Sequence, residues 1–173
     1  IYVLTQYKSG SLLLNHIEEG WNISRSGLGE YIYSVPAQFK TGTGWYSGTA
    51  DAVRQNLNLI EQSKADHVLI LTGDHIYKMN YAQLIRYHEA MGAGLTVAAA
   101  RVNPEDAILR LGMIEINKSG RITGFEEGPA NIELTENAPK YFFASMGIYI
   151  FDIRTILEVL KQDGNDFGKD IIP

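Results

Sequence analysis

Two hydrophobic periods alternate along the first hundred residues. Ile1 to Thr5 reads as a short strand. Ser9 and Ser11 are candidate helix caps; Leu12, Leu13, His16 and Ile17 then share one helical face, and Gly20 stops the helix. Tyr31 to Val35 is β-rich and ends at Pro36, and Gln38 to Gly48 reads as loop. Thr49 reads as the N-cap of an amphipathic helix over 49–63, with Ala50, Val53, Leu57 and Ile60 at helical spacing. Val68 to Leu71 is a short apolar run, as expected of a strand buried on both faces of a parallel sheet, and Thr72-Gly73 ends it. Asn80 caps a further helix with Tyr81, Leu84, Ile85, His88 and Met91 inward and Gly92 at its end. Leu95 to Ala100 is another buried strand, its small residues allowing close helix packing.

This order of strand, helix, strand, helix, strand, helix, strand is a doubly wound α/β pattern with right-handed crossovers. After Pro104 the pattern changes. Gly112 to Ile116, the turn Asn117-Lys118-Ser119-Gly120 and Arg121 to Phe125 predict a β-hairpin. Gly128 to Lys140 is polar, with two prolines, and reads as a surface loop. Phe142 to Phe151 is a further strand, and Asp152 caps a last helix carrying Ile153, Ile156, Leu157 and Leu160. With no internal repeat, low-complexity tract or linker, the expected class is α/β: a Rossmann-like, doubly wound mixed sheet with a hairpin elaboration on one domain.

Composition narrows the function classes. The 173 residues are 45% hydrophobic, enough for one domain with a real core. There is no cysteine, so disulfides and thiolate metal sites are excluded. The net charge of −5 comes from interspersed acids and bases, which argues against a nucleic-acid groove. No run of about 18 apolar residues and no charged-then-apolar leader is present, so the expectation is a soluble, cytoplasmic protein without a membrane partner. Ile1 falls in what reads as the middle of a strand and Pro173 has no tail, so the chain is expected to be a piece of a larger protein.

Candidate chemistry gathers where predicted strands end. Asp74 sits at the carboxyl end of the 68–71 run, the edge at which open α/β sheets bind ligands. Beside Gly73, which lets a phosphate approach closely, it suits a divalent cation bridging to phosphate oxygens; it also suits plain capping of the next turn. Trp45 and Tyr46, between Gly42, Gly44 and Gly48, form either a platform for a base or sugar or an aromatic plug, and composition favours the plug. Gly48, Thr49 and Ala50 offer backbone N–H groups to an anion, as any helix start does. His75 follows Asp74 and reads chiefly as a turn residue. His88 reads as a packed, hydrogen-bonded histidine.

Five spaced stretches carry a resemblance. They are Trp45-Tyr46-Ser47-Gly48-Thr49-Ala50-Asp51-Ala52-Val53, Gly73-Asp74-His75-Ile76-Tyr77-Lys78, Phe125-Glu126-Glu127-Gly128-Pro129, Ala144 to Phe151 around Ser145-Met146-Gly147, and Asp166 to Pro173. In this order they resemble the glucose-1-phosphate adenylyltransferases (ADP-glucose pyrophosphorylases), along essentially the whole chain. The resemblance implies a sugar nucleotidyltransferase fold and a reaction in which ATP and α-D-glucose 1-phosphate give ADP-glucose and pyrophosphate, with Mg²⁺. It implies Asp74 as the catalytic metal ligand, and Gly48 and Thr49 on the nucleotide side. It places Tyr46, Gly112, Glu127, Gly128 and Ser145 at positions that meet the glucose 1-phosphate. It also implies a homotetramer.

The chain departs from the family in two ways. The family has a lysine, paired with the sugar phosphate, at the position of Gly128. Loss of a desolvated contact of that kind should weaken binding by several kcal/mol; Lys140 is a candidate replacement. The family's glycine-rich phosphate loop lies upstream of Ile1, and a further metal-binding aspartate and a β-helix domain lie downstream of Pro173. These 173 residues alone are therefore expected to be inactive. Two rival readings stand beside the enzyme: a non-catalytic regulatory subunit that lost activity at Gly128, and a sugar nucleotidyltransferase with another base or sugar.

Overall fold

The computed structural model describes residues 1–6, 10–21, 30–37, 45–103, 112–127 and 140–173. The chain folds as two compact units, Ile1–Gln55 and Asn56–Pro173.

In the first unit, strands β1 (Tyr2–Thr5) and β2 (Tyr33–Pro36) pair in parallel, with Tyr2 opposite Tyr33 and Thr5 opposite Pro36. Helix α1 (Gly10–Gly20) connects them. The face expected to be apolar is only partly used: Ile17 is buried, whereas Leu12 is 76% exposed and Leu13 is also exposed. Two four-residue strands cover only a narrow stripe of an 11-residue helix, and Ile17 occupies it. The Tyr2 and Tyr31 hydroxyls meet at 2.9 Å, joining β1 to the approach of β2.

The expected 49–63 helix is two helices, α2 (Thr49–Arg54) and α3 (Leu57–Ser63). Asn56, buried between them, leaves helical geometry at φ −117°. Its carbonyl accepts from Leu59 N–H, so the second helix restarts there. Gly48, not Thr49, is the N-cap of α2; its extended backbone turns the chain into the helix and makes Thr49 the first helical residue. The cap is completed from inside, because the Asp51 carboxylate accepts from Ser47 N–H at 2.8 Å.

The second unit is built on β7 (Phe142–Asp152), a strand with neighbours on both edges. β4 (Leu95–Val102) runs antiparallel along it, from Leu95 opposite Phe151 to Val102 opposite Phe142. On its other edge, β3 (His67–Ile70) pairs antiparallel with residues 149–152, and β5 (Met113–Ile116) with Phe143 and Ala144. β6 (Ile122–Glu126) completes the predicted hairpin with β5. In its turn Asn117 Oδ1 accepts from Ser119 and Arg121 N–H, and Gly120 takes φ +80°. The class is mixed α/β, as expected. The neighbours of β3 differ from expectation: it is half-buried beside antiparallel β7, and Leu71 is exposed. The strand buried on both faces is β7.

Alternation along β7 sends Ile148 and Ile150 to one face and Tyr149 and Phe151 to the other, and all four are buried. Phe167, 1% exposed, lies against the second pair, its ring centroid 5.8 Å from Tyr149 and 5.6 Å from Phe151. Helix α4 (Tyr81–Met91) begins at Asn80, whose side chain accepts from Ala82 N–H, and ends at Gly92 in the left-handed conformation. Helix α5 (Ile153–Val159) begins at Asp152, which accepts from Arg154 N–H, and contributes Ile156 to the core. His88 is the packed histidine expected: its Nδ1 lies 2.7 Å from Thr96 Oγ1, and its ring meets His67 edge to face. Burial lowers the pKa of His88 and keeps it neutral.

Truncation of Phe167 to alanine should cost about 3–5 kcal/mol, the usual range for deleting a fully buried aromatic ring. A denaturant melt of the full-length protein checks this. A loss below about 1 kcal/mol would mean that the ring does not hold the segment after α5.

Candidate functional site

β7 carries an irregularity where it matters. Between the pairs Val97–Tyr149 and Ala99–Ser145, β4 advances two residues while β7 advances four. The surplus is taken up around Met146-Gly147, with Gly147 at φ +66°. A side chain at 147 would also meet Thr72, whose Cγ2 lies 3.0 Å from the Cβ position. Glycine is therefore required twice over. The bulge separates the β3-paired half of β7 from the β5-paired half. Ser145 faces that break: its N–H donates to the Gly112 carbonyl at 2.7 Å, and its Oγ accepts from Gly147 N–H at 3.2 Å.

Three of the residues singled out for sugar phosphate converge here. A Cβ on Gly112 would stand 2.5 Å from Glu127 Oε2, 3.1 Å from Phe125 Cζ and 3.3 Å from Ser145 Cβ. Gly112 is buried, Ser145 half-buried and Glu127 exposed, so a carboxylate and a hydroxyl meet over a bare backbone at the edge of the core. Such a group can hold hydroxyls of a polar ligand, and the missing side chain of Gly112 is what lets the Glu127 carboxylate come up to Ser145.

The segment after α5, one of the five stretches that carry the resemblance but given no site role from sequence, also reaches this group. Residues Phe167–Ile171 form a wide turn, Ile172 N–H reaching back to the Phe167 carbonyl at 2.9 Å. Asp166 caps it, Oδ1 accepting from Gly168 and Lys169 N–H at 2.9 and 3.2 Å. Asp170 locks it from the far side, Oδ2 accepting from Asn165 and Asp166 N–H at 2.7 and 2.9 Å. A Cβ on Gly168 would stand 2.6 Å from the same Glu127 Oε2. The sequence signal was present as two acids bracketing Phe167-Gly168-Lys169, but its meaning depends on the fold that brings it to Glu127.

The electrostatics follow. Desolvation raises the Glu127 pKa, the Asp166 carboxylate adds to the rise, and the Lys169 ammonium opposes it. Burial pushes the Tyr149 phenol up, a hydrogen bond with the Ser145 side chain pulls it back, and Glu127 and Asp166 push the same way as burial. Among the described residues, the cation acting on Glu127 is Lys169. Lys140, the replacement considered from sequence, is an exposed residue just ahead of β7. Gly128 lies outside the described residues.

Asp74 stands where expected along the chain, exposed, four residues past the end of β3. Thr72, two residues earlier, packs on the Gly147 bulge, and among the described residues nothing lies within 4 Å of the Cβ position of Gly73. Among the described residues no group of three His, Cys, Asp or Glu side chains is arranged to hold a metal. One exposed carboxylate next to open space fits an ion shared with phosphate oxygens and water rather than an ion caged by protein alone. His75 stacks edge to face on Tyr77, at 6.4 Å, as a turn residue does.

Tyr46, Gly48 and Thr49 belong to the first unit. Tyr46 N–H donates to Gln6 Oε1 at 2.7 Å, and Tyr46 is half-buried. Trp45 is 46% exposed. The start of α2 already carries the Asp51 carboxylate, which Gln55 Nε2 contacts at 2.9 Å.

A nucleotidyl transferase family model matches residues 1–173. Glucose-1-phosphate adenylyltransferase 2 of Vibrio vulnificus strain YJ016 is 46% identical over 179 aligned residues, which take in 100% of this chain and 44% of that protein. Glucose-1-phosphate adenylyltransferase 1 of Vibrio cholerae is 44% identical over 180 residues, with the same coverage. The enzyme of Paramagnetospirillum magneticum is 43% identical over 180 residues, 42% of its length. The chain therefore spans less than half the length of these relatives.

Glu127→Gln in the full-length protein should be at least as stable as the parent at neutral pH. A carboxyl whose folded pKa is raised favours folding only while protonated, and that contribution is lost as pH rises through the folded value. The difference should vanish below the ordinary carboxylate range. Melting temperatures across that window check the sign; a glutamine variant clearly less stable at neutral pH contradicts it.

Proposed function

Because the chain belongs to the nucleotidyl transferase family, we propose that the protein of which it forms part is a glucose-1-phosphate adenylyltransferase. It joins ATP and α-D-glucose 1-phosphate into ADP-glucose and releases pyrophosphate. The observation that carries this reading is the meeting of Gly112, Glu127 and Ser145 at one spot of the second unit, since these are the positions the family resemblance gives to the sugar phosphate.

The chemistry asks little covalent work of the protein. A phosphate oxygen of glucose 1-phosphate attacks the α-phosphorus of ATP in line, the new P–O bond forms as the bond to the β-phosphate oxygen breaks, and pyrophosphate leaves. Positioning and charge neutralisation supply the rate. Glu127 accepts hydrogen bonds from sugar hydroxyls, Ser145 exchanges them, and Gly112 leaves room for the Glu127 carboxylate beside Ser145. Tyr46 is assigned to the sugar phosphate, and Gly48 and Thr49 to the nucleotide. Asp74 is the protein ligand for Mg²⁺, which would neutralise charge on the phosphates in the usual way of a hard cation bound through oxygen. The assembly is proposed to be a cytoplasmic homotetramer. Among the described residues no helix is long and apolar enough to cross a membrane.

Gly128 favours a second reading, a regulatory subunit that retains the fold without turnover. Two measurements on the full-length protein decide. The first is pyrophosphate release over a panel of nucleoside triphosphates and sugar phosphates, for the parent and Gly128→Lys. ATP with glucose 1-phosphate should rank first. Equal rates with UTP or dTTP would remove the adenylyl assignment, and activity appearing only in Gly128→Lys would establish the regulatory subunit. The second is Asp74→Asn, a nearly isosteric change that removes the charge. Metal-dependent turnover should fall by roughly 100-fold or more with the fold intact; turnover within a few-fold of the parent rules out Asp74 as the metal ligand.

A further inference from the structure

Four glycines of the second unit, Gly92, Gly120, Gly147 and Gly164, have positive φ, which accounts for glycine at those positions. Gly168 does not, so its backbone would accept alanine. What it lacks is room. The Cβ position lies 2.6 Å from Glu127 Oε2 and 3.0 Å from Glu127 Cδ, with Asp166 Oδ1 next at 3.5 Å. The same carboxylate oxygen is also approached by Gly112, at 2.5 Å from its Cβ position. The slot that the Glu127 carboxylate occupies is thus the space that two glycines, Gly112 and Gly168, leave free.

We propose that Gly168 is a positioning residue for sugar-phosphate binding, holding the Glu127 carboxylate against Gly112 and Ser145 by leaving room for it alone. This deepens the proposed function and rests on it for the identity of the ligand.

The mechanics decide which partner yields to an added methyl group. The turn cannot move cheaply. Phe167 is packed on Tyr149 and Phe151, Gly168 N–H is bonded to Asp166, and Asp170 clamps the entry to the turn. Glu127 is an exposed side chain on a flexible stem, and its far end is the atom in the way. Alanine at 168 therefore displaces the carboxylate out of the slot and leaves the fold alone. A residue whose absent side chain matters only to stability would behave in the opposite way.

The test uses the full-length protein and Gly168→Ala, alone and combined with Glu127→Ala. Gly168→Ala should raise KM for glucose 1-phosphate by about tenfold or more and leave KM for ATP within about twofold. Its melting temperature should stay within about 2 °C of the parent. In the Glu127→Ala background the same substitution should add nothing, because residues that act through one another are not additive. Full additivity, or equal changes in both KM values, overturns the proposal. A readout independent of turnover is the carboxyl titration of Glu127, followed by carbon NMR. Gly168→Ala should move its midpoint down towards the ordinary carboxylate value, as the group leaves its desolvated slot. An unmoved midpoint overturns the proposal. If the parent fails to turn over ATP and glucose 1-phosphate while the midpoint moves as stated, the positioning role stands and the proposed function falls.

Discussion

The packing of Phe167 on the Tyr149–Phe151 face of β7 is the contact on which the site depends. Burying both faces of a strand requires a cover on each, and on this face the ring of Phe167 forms part of the cover. The side-chain caps of Asp166 and Asp170 then determine the path of the backbone around that anchor. The backbone in turn brings Gly168 to Glu127. An apolar contact worth a few kcal/mol thereby helps to place a polar group, which is what a binding site needs from its supporting shell.

The bulge in β7 serves the other half of the site. A regular strand of this length would hold β3 and β5 in one continuous register. The surplus residues around Gly147 break that register, seat Thr72 in the break and leave Ser145 bonded to Gly112. Sites are often built at such interruptions, because a regular ladder uses its polar groups on itself.

The sequence showed the elements well and their neighbours less well. The hairpin at 113–126 was legible from Asn117 and Gly120, whose turn chemistry is local. His88 was legible as a packed residue from its helical period. The pairing of β3 was not, because an apolar run of four residues is the same beside a parallel or an antiparallel partner, and β7 lies some eighty residues further on. The break at Asn56 escaped for a similar reason: helical spacing of Val53, Leu57 and Ile60 continues through it. Of the candidate site, Gly112, Glu127 and Ser145 were in view only through a family resemblance, and the fold places them side by side. Gly168 and Lys169 were in view as letters, but their part depends on Phe167 being in the core. No rule of spacing relates residue 127 to residue 168.

The central claim is that Gly112, Glu127 and Ser145 form the seat of the sugar phosphate. A crystal structure of the full-length protein with glucose 1-phosphate tests it most directly. The account predicts the glucose ring against this group, with its hydroxyls within hydrogen-bond distance of the Glu127 carboxylate and the Ser145 hydroxyl. A sugar phosphate bound elsewhere, with Glu127 facing only solvent, would contradict it.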